Sequence, residues 1–111
     1  MKKTVLIGGK AGQGLNLIMN LLSEALLESG FYVFASRDYQ SLIRGGHNFN
    51  ILTFSDNKVY SNESKADILV CLDENTENLH KKELKKDAII IKPHAEGEKN
   101  IYFAASAKKN F

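Results

Sequence analysis

The sequence has few of the features that mark secreted, metal-binding or membrane proteins. Cys71 is the single cysteine, so no disulfide can form within the chain, and one thiolate holds neither zinc nor an iron–sulfur cluster without ligands from elsewhere. Near the N-terminus, only residues 5–7 are strongly apolar before glycine follows, which is too short for a signal peptide or a membrane span. These absences favour a cytoplasmic protein without a membrane partner.

An excess of charge of either sign is also missing. Fifteen lysines and arginines face thirteen aspartates and glutamates, and the net charge of +2 does not indicate binding to nucleic acid or to anionic membranes. Apolar residues (43%) and charged residues (25%) occur at the levels of ordinary globular chains. A length of 111 residues gives room for one hydrophobic core. We therefore expect one folded domain over residues 1–111 and no nucleic-acid partner.

The first 35 residues predict a strand, a glycine-rich turn, a helix and a second strand. Residues 4–7 are an apolar run rich in β-branched side chains and predict a first strand, and residues 32–35 predict a second one. Between them, apolar residues recur at helical spacing up to a stop at Gly30: Leu15, Ile18, Leu22 and Leu26, with Leu21 and Ala25 widening the stripe. This βαβ unit places both strands in parallel in one sheet. The class is therefore α/β, a mostly parallel Rossmann-like sheet with helices on both faces.

The middle of the chain predicts a loop and a hairpin. Residues 37–46 show no apolar periodicity and are expected to form an exposed loop at the carboxyl end of the second strand, the edge at which open α/β sheets bind ligands. Residues 47–54 alternate between two faces, residues 55–58 are typical of a turn, and Val59 and Tyr60 would continue as a second strand. A β-hairpin insertion of this kind would make the sheet mixed.

The second half predicts buried strands and a polar surface. A central strand is expected over residues 68–72, another over residues 88–91 ended by Pro93, and a last one over residues 101–104. Residues 73–87 are almost wholly polar, so we expect one or two short helices that are solvated.

The glycine-rich turn is a candidate anion site. Its spacing, Gly-x-x-Gly-x-Gly from Gly9, differs from the dinucleotide fingerprint, no P-loop lysine follows, and the second strand does not end in an acidic residue that could hold a ribose. Backbone N–H groups at the helix start would still favour a phosphate or carboxylate, which makes Gly9, Gly12, Gln13 and Gly14 a candidate phosphate-binding turn. The alternative is that the glycines only allow a tight turn and close helix–strand packing.

Residues 38–48 hold the other candidate binding groups. Arg44 beside Gly45 and Gly46 places a forked cation on a backbone that a ligand can approach closely, and Ser41 adds a hydroxyl donor. The alternative is a surface arginine bonded to neighbouring carbonyls. His47 lacks a nucleophile or a second metal-binding histidine at a suitable spacing, so a hydrogen-bonded structural histidine is favoured over a general base.

Other side chains give weaker signals. Leu42 and Ile43, together with Tyr39, suggest a surface covered by a partner chain or a cofactor. His80 and His94 stand in charged surroundings and form no recognisable constellation, and Cys71 is expected to be a small core residue.

The order of these motifs resembles the gamma domain of 2-oxoacid:ferredoxin oxidoreductases. The matching segments are residues 9–14 after a strand, residues 32–34, residues 38–49, residues 55–56 and residues 66–70. Residues 39–48 are most similar to members in which this domain is fused ahead of the thiamine-binding alpha portion. The resemblance covers about residues 3–92. The family gamma domains continue beyond the strand at residues 88–91, and Gln40 replaces their usual proline, so we expect an N-terminal portion of a larger domain or subunit.

The resemblance implies an enzyme that oxidatively decarboxylates a 2-oxoacid with coenzyme A to an acyl-CoA and reduces ferredoxin. Thiamine diphosphate and Mg²⁺ would bind between other domains and iron–sulfur clusters would sit on other subunits, with no cofactor or metal bound by this chain alone. The expected partners are a thiamine-binding alpha subunit and a beta subunit. Ser41, Arg44, Gly45, Gly46 and His47 would face the 2-oxoacid carboxylate or the coenzyme A phosphates, with the turn Gly9, Gly12, Gln13 and Gly14 nearby. None of them is expected to be catalytic.

Two alternatives belong to other classes. One is a stand-alone module that binds a nucleotide or coenzyme A through the glycine-rich turn, and the other is a structural remnant that only dimerises.

Overall fold

The computed structural model describes residues 1–10, 14–41, 47–94 and 102–107, with the side chains of residues 1–10, 14–36 and 47–92. These residues form a six-stranded sheet with a helix on each face. The strands are β1 (Lys2–Lys10), β2 (Tyr32–Ser41), β3 (His47–Ser55), β4 (Ala66–Cys71), β5 (Leu84–His94) and β6 (Tyr102–Ala107). The helices are α1 (Leu15–Glu28) and the short α2 (Thr76–His80), which a 3₁₀ turn (Lys81–Glu83) connects to β5. No helix in these ranges is long and apolar enough to cross a membrane.

The strand order is β2-β3-β1-β4-β5-β6, and the sheet is mixed. β1 pairs with β4 in parallel, as β4 does with β5, whereas β3 runs antiparallel between β1 and β2, and β6 runs antiparallel beside β5. Four of the six strands, β1, β2, β4 and β5, therefore share one direction. β1 and β2 run in the same direction, as the βαβ pattern predicts, but β3 separates them.

The two helices cover opposite faces. Alternate residues of a strand point to opposite sides of a sheet. Val5 and Ile7 lie in the core under α1, while Leu6 belongs to the core of the other face and Gly8 packs there against Thr76 of α2. Helices on both faces were predicted, and this arrangement confirms them.

The core under α1 is built by the amphipathic stripe of that helix. Leu15 and Met19 are buried, and Ile18, Leu22 and Leu26 are partly buried against the sheet. The prediction that Leu21 and Ala25 widen the stripe is wrong, because both side chains are exposed, that of Leu21 by 58%. Met19 fills the apolar face instead. Gly30 ends the helix with a φ of 93°, as the sequence predicts.

The hairpin was predicted in the wrong place. β3 is one continuous strand from His47 to Ser55, and residues 58–60 are not in a strand. Its antiparallel partners are β2 and β1, so the hairpin is β2–β3, joined by residues 42–46. The turn chemistry after β3 is present, since Ser55 Oγ accepts a hydrogen bond from the Asn57 N–H at 3.1 Å, but it leads into an irregular segment. Alternation reveals a strand and does not identify its partner.

Several strands are longer than expected, β2 and β5 most of all. Residues 37–41 belong to β2, beyond a bulge between Ser36 and Tyr39, and are not a loop. β5 begins at Leu84 and runs past Pro93, which lies beyond Ile91, the last residue of β5 that pairs with β4. The start of β5 is rich in lysine, and the sequence does not predict it as a strand. The register of the β4–β5 pairing shifts after Ala66, so this stretch does not show the continuous apolar pattern of a central strand.

A buried polar chain fixes the irregular segment after β3. Thr4 Oγ1 and Thr53 Oγ1 lie 2.9 Å apart, and Thr53 donates to Asn62 Oδ1 at 2.7 Å. Asn62 Nδ2 then donates to Ser36 Oγ at 2.9 Å. Because an unsatisfied buried hydroxyl is costly, these bonds hold the segment across three strands.

Candidate functional site

The chain leaves the neighbouring strands β1 and β4 in opposite directions, and the point where it does so is the candidate ligand crevice of the fold. The chain leaves β1 through α1 on one face towards β2, and leaves β4 through α2 on the other face towards β5. Open α/β sheets bind ligands at the carboxyl ends of two such neighbouring strands. A cleft of about 630 Å³ opens there, lined by Lys10, Leu72, Asp73, Glu74, Asn75 and Asn78.

Both segments that were predicted to bind ligands attach to this carboxyl edge. β1 ends at Lys10, immediately before the glycine-rich turn, and β2 ends at Ser41, immediately before residues 42–46. His47 begins β3 directly opposite Lys10 in the sheet. The topology therefore brings the ends of the two segments together, although they are about 30 residues apart in the chain.

The structure describes part of the predicted site. Gly9 is buried within β1 opposite Asn48, and Gly14 stands before α1 with a φ of 76°. Ser41 pairs with His47 through the backbone, and its side chain is outside the described residues. The remaining predicted residues, together with Leu42 and Ile43, also lie outside the described ranges: Gly12, Gln13, Arg44, Gly45 and Gly46.

His47 is buried and hydrogen-bonded, as the structural interpretation expected. Its side chain is 4% exposed, and its Nε2 lies 2.8 Å from Nε2 of His80. His80 Nδ1 lies 2.5 Å from Oε1 of Glu83, and the ring of Phe49 packs edge-on against His80. Two imidazoles and a carboxylate thus form one connected cluster beneath the sheet edge.

The prediction that His80 is a surface residue without a constellation is wrong, because its side chain is completely buried. The polar stretch around it is only partly solvated: Thr76, four residues earlier on α2, is buried as well. Residues four apart share one helix face, so the pair Thr76 and His80 marks the buried side of α2. The charged neighbours concealed this short pattern.

Gly8 allows α2 to approach β1. A Cβ at this position would lie 2.7 Å from Thr76 Cγ2 and 3.1 Å from His47 Nε2. Thr76 cannot easily move, because its hydroxyl donates to Asp73 Oδ1 at 2.7 Å and its N–H donates to the same oxygen at 3.0 Å. This glycine therefore serves close packing between β1, β3 and α2.

Cys71 lies in the core on the same face and is 1% exposed, as predicted. Burial raises the pKa of its thiol to about 12, so the reactive thiolate is scarce at neutral pH. Among the described residues, no group of three or more histidine, cysteine, aspartate or glutamate side chains is arranged to hold a metal ion.

The described part of the cleft has mixed charge. Lys10 contributes a cation, and Asp73 and Glu74 contribute carboxylates. An anionic ligand at this edge would therefore depend on further donors, and Arg44 and the N–H groups of the glycine-rich turn are the groups of that kind that the chain carries next to it.

Comparison with known proteins identifies the family. The family model described as pyruvate ferredoxin/flavodoxin oxidoreductase matches residues 4–106. The 2-oxoacid:ferredoxin oxidoreductase subunit alpha of a Sulfolobus species is 41% identical over 76 residues, which are 68% of this chain and 12% of that protein. The corresponding subunit from Saccharolobus solfataricus is 33% identical over 99 residues, or 89% of this chain and 16% of that protein.

Solved structures share the fold. A 2-oxoglutarate:ferredoxin oxidoreductase from Magnetococcus marinus matches 89% of this chain with 17% of its own, at a TM-score of 0.74 and 16% identity. The gamma subunit of a keto/oxoacid ferredoxin oxidoreductase from Geobacter sulfurreducens matches 83% of this chain with 50% of its own, at a TM-score of 0.70 and 24% identity. The pyruvate oxidoreductase subunit PORC from Thermotoga maritima matches 86% with 51%, at a TM-score of 0.66 and 26% identity.

The chain thus spans about an eighth of the curated alpha subunit from Sulfolobus and about half of the two single-subunit structures. The family model covers nearly all of its residues, and the resemblance noted from the sequence motifs is confirmed. This chain belongs to the pyruvate ferredoxin/flavodoxin oxidoreductase family.

Proposed function

We propose that this chain is a gamma-type component of a 2-oxoacid:ferredoxin oxidoreductase, in which it forms a cap that faces the 2-oxoacid or coenzyme A. The complex would oxidatively decarboxylate the 2-oxoacid with coenzyme A to an acyl-CoA and pass the electrons to ferredoxin. The observation that carries the proposal is the attachment of the glycine-rich turn and of residues 42–46 to one carboxyl edge, beside the cleft between β1 and β4. Family membership supplies the reaction class.

The proposed contacts follow from the chemistry of these residues. Arg44 is a forked, permanently charged donor suited to a carboxylate or phosphate, and Gly45 and Gly46 let a ligand approach its backbone. Ser41, the last residue of β2, and His47, the first residue of β3, flank that segment. Gly9, Gly12, Gln13 and Gly14 would offer backbone N–H groups at the start of α1.

The cofactor chemistry is assigned to other chains. Cys71, the single cysteine, is buried, and the raised pKa of its thiol makes it a poor ligand for an iron–sulfur cluster. We propose that other domains and subunits hold thiamine diphosphate, Mg²⁺ and the clusters, that alpha and beta subunits are the partners of this chain, and that the complex works in the cytoplasm. The gamma-type domain would comprise residues 1–111, as the N-terminal portion of a larger unit.

Reconstitution tests the division of labour. The purified chain is mixed with thiamine diphosphate, Mg²⁺, coenzyme A and a 2-oxoacid, with and without alpha and beta subunits of the same enzyme, and acyl-CoA is measured. We expect product only with the partner chains. Acyl-CoA formation by the chain by itself would refute the proposal. Calorimetry with the isolated chain adds a second arm: micromolar nucleotide or coenzyme A binding that Gly12→Val abolishes would favour the stand-alone module.

The chain offers a matched pair of arginines for the loop assignment. Arg44→Gln removes the proposed charge-assisted bonds to an anionic group, each worth about 1.5–3 kcal/mol, so KM for the 2-oxoacid or coenzyme A should rise about 10- to 100-fold. Arg37→Gln removes the same charge seven residues earlier and should leave KM nearly unchanged. Equal effects of the two substitutions would contradict a specific role for Arg44.

A further inference from the structure

His47, His80 and Glu83 form a cluster of which only His47 belongs to the groups that the proposed function uses for binding. Both imidazoles are almost completely buried, whereas the Glu83 side chain is 41% exposed. The cluster joins three separate parts of the fold, because His47 begins β3, His80 ends α2, and Glu83 ends the 3₁₀ turn that follows. Burial of two polar imidazole rings costs free energy that apolar side chains packed in the same place would not cost.

We propose that the cluster is a one-proton store at the carboxyl edge, that is, a pair of imidazole rings that together take up a single proton. His80 and Glu83 are positioning residues that fix the tautomer of His47. The relation of this store to an anionic ligand at the carboxyl edge rests on the proposed function. The hydrogen-bond arrangement itself does not.

The carboxylate determines the direction of the two hydrogen bonds that connect the cluster. A carboxylate only accepts, so His80 donates through Nδ1 to Glu83 Oε1. Nε2 of the neutral His80 ring then carries a lone pair and accepts, and Nε2 of His47 must therefore be the donor across the 2.8 Å contact. In the neutral state, His47 accordingly carries its proton on Nε2, and His47 Nδ1 is an acceptor.

One added proton reverses this pattern without moving a heavy atom. A proton bonds to His47 Nδ1, the Nε2–H bond of His47 breaks, and that proton bonds to His80 Nε2. The His80 ring is then the imidazolium, beside the Glu83 carboxylate, and His47 is neutral with its proton on Nδ1. Both hydrogen bonds are retained, and the positive charge rests where a charge-assisted bond stabilises it.

A second proton cannot be accommodated. Two imidazolium rings have only N–H donors, so the facing Nε2 atoms at 2.8 Å would both be donors and would repel. The pair therefore takes up one proton in total, and the midpoint of this titration belongs to the pair and not to either ring. Other titratable groups stand on each element that packs around the rings: Lys10 of β1, Cys71 of β4, Asp73 and Glu77 at α2, the flanking Lys81 and Lys82, and Lys92 of β5.

A ligand at the carboxyl edge would sense the state of the store because His47 lies opposite Lys10, which lines the cleft. In the protonated state the edge carries an extra positive charge and His47 Nδ1 is a donor; in the neutral state Nδ1 is an acceptor. An anionic group held near His47 is thus favoured by the protonated state, and by linkage its binding favours proton uptake.

Nitrogen NMR of the full chain tests the proposal directly. Long-range ¹H–¹⁵N spectra report the tautomer and charge of each histidine, and His94→Gln identifies the third ring. We expect one fixed Nδ1–H tautomer for His80 and one fixed Nε2–H tautomer for His47 at about pH 8, and one proton taken up by the pair on acidification. Averaged tautomers in either ring, or a full proton on each ring of the folded protein, would overturn the proposal.

Two glutamate substitutions provide a matched comparison. Glu83→Gln removes the charge beside His80 and should lower the midpoint of the pair by about one pH unit, since an adjacent carboxylate shifts such a pKa by about 1–3 units. Glu83→Asp should restore most of the shift. Glu77 lies on α2 with His80 but pairs with Lys92 at 3.2 Å, so Glu77→Gln should leave the midpoint nearly unchanged. Equal shifts for Glu77→Gln and Glu83→Gln would overturn the role of Glu83. The wild-type spectra decide the proposal even if a variant fails to fold, and failure of acyl-CoA formation in the reconstituted complex would leave them unaffected.

Discussion

Substitution of Gly8 by alanine tests the close packing on which the carboxyl edge depends. The added Cβ would meet Thr76 Cγ2 at 2.7 Å, about 1 Å short of an ordinary carbon–carbon contact, and His47 Nε2 at 3.1 Å. Thr76 is tied to Asp73 and His47 to His80, so neither side chain can withdraw without weakening a buried hydrogen bond.

The size of the effect follows from opposing contributions. Overpacking of a core costs about 1–3 kcal/mol, and the less flexible unfolded chain of the alanine variant returns about 0.4–1 kcal/mol. We expect Gly8→Ala to lower the free energy of unfolding by about 1–2 kcal/mol, or the melting temperature by about 4–10 °C for a domain of this size. Urea denaturation and thermal melting measure both quantities.

A double-mutant cycle provides the control. Thr76→Ser removes the Cγ2 methyl that the new Cβ would strike and keeps the hydroxyl bond to Asp73. Gly8→Ala should therefore cost at least about 1 kcal/mol less in the Thr76→Ser background than in the wild type. An unchanged cost in that background, or a neutral Gly8→Ala variant, would refute the packing argument.

The remaining predictions concern a turn, a thiol and a polar chain. Gly14→Ala should cost about 1 kcal/mol in urea denaturation, because a φ of 76° strains an alanine while no atom lies within 4 Å of its Cβ, and Gly14→Asn should cost less. Cys71 should resist iodoacetamide at pH 8 in the folded chain and react after unfolding, and rapid labelling of the folded chain would contradict its burial. Because burial raises the pKa of this thiol from 9.0 to about 12, its contribution to stability is complete below about pH 9 and is lost as the pH rises towards 12; Cys71→Ala should lack that loss. Thr53→Val should cost about 2 kcal/mol by removing the hydrogen bonds of Thr4 Oγ1 and Asn62 Oδ1 to Thr53, whereas Thr53→Ser should be much milder.

Local patterns in the sequence predicted the elements well where periodicity was strong. The helical stripe from Leu15 to Leu26, the stop at Gly30 and the apolar central strands all have a cause within a few residues. The pairing of β3 does not, because the alternation of its side chains is equally compatible with either neighbour. The sequence therefore predicted a mixed sheet and located its hairpin incorrectly.

The candidate site, like the fold, could be predicted only where its cause lies within a short stretch of the sequence. The sequence indicated that residues 38–48 and the glycine-rich turn carry binding chemistry, and the topology attaches both to one edge. The partnership of His47 with His80 could not be predicted, because it joins residues 33 apart through the packing of α2 on β1. The clue is Gly8, whose missing side chain makes room for that packing.

The central position of β1 has a consequence for how the protein folds. Both sheet neighbours of this N-terminal strand are distant in the chain, since Lys2 pairs with Ser55 and Val5 pairs with Ile68. During synthesis β1 therefore leaves the ribosome before both of its sheet partners, β3 and β4, and both of its edges are paired only after β4 has emerged. Loops of this length close slowly, so we expect folding in the range of milliseconds to seconds, with the β2–β3 hairpin formed before the sheet is joined through its centre.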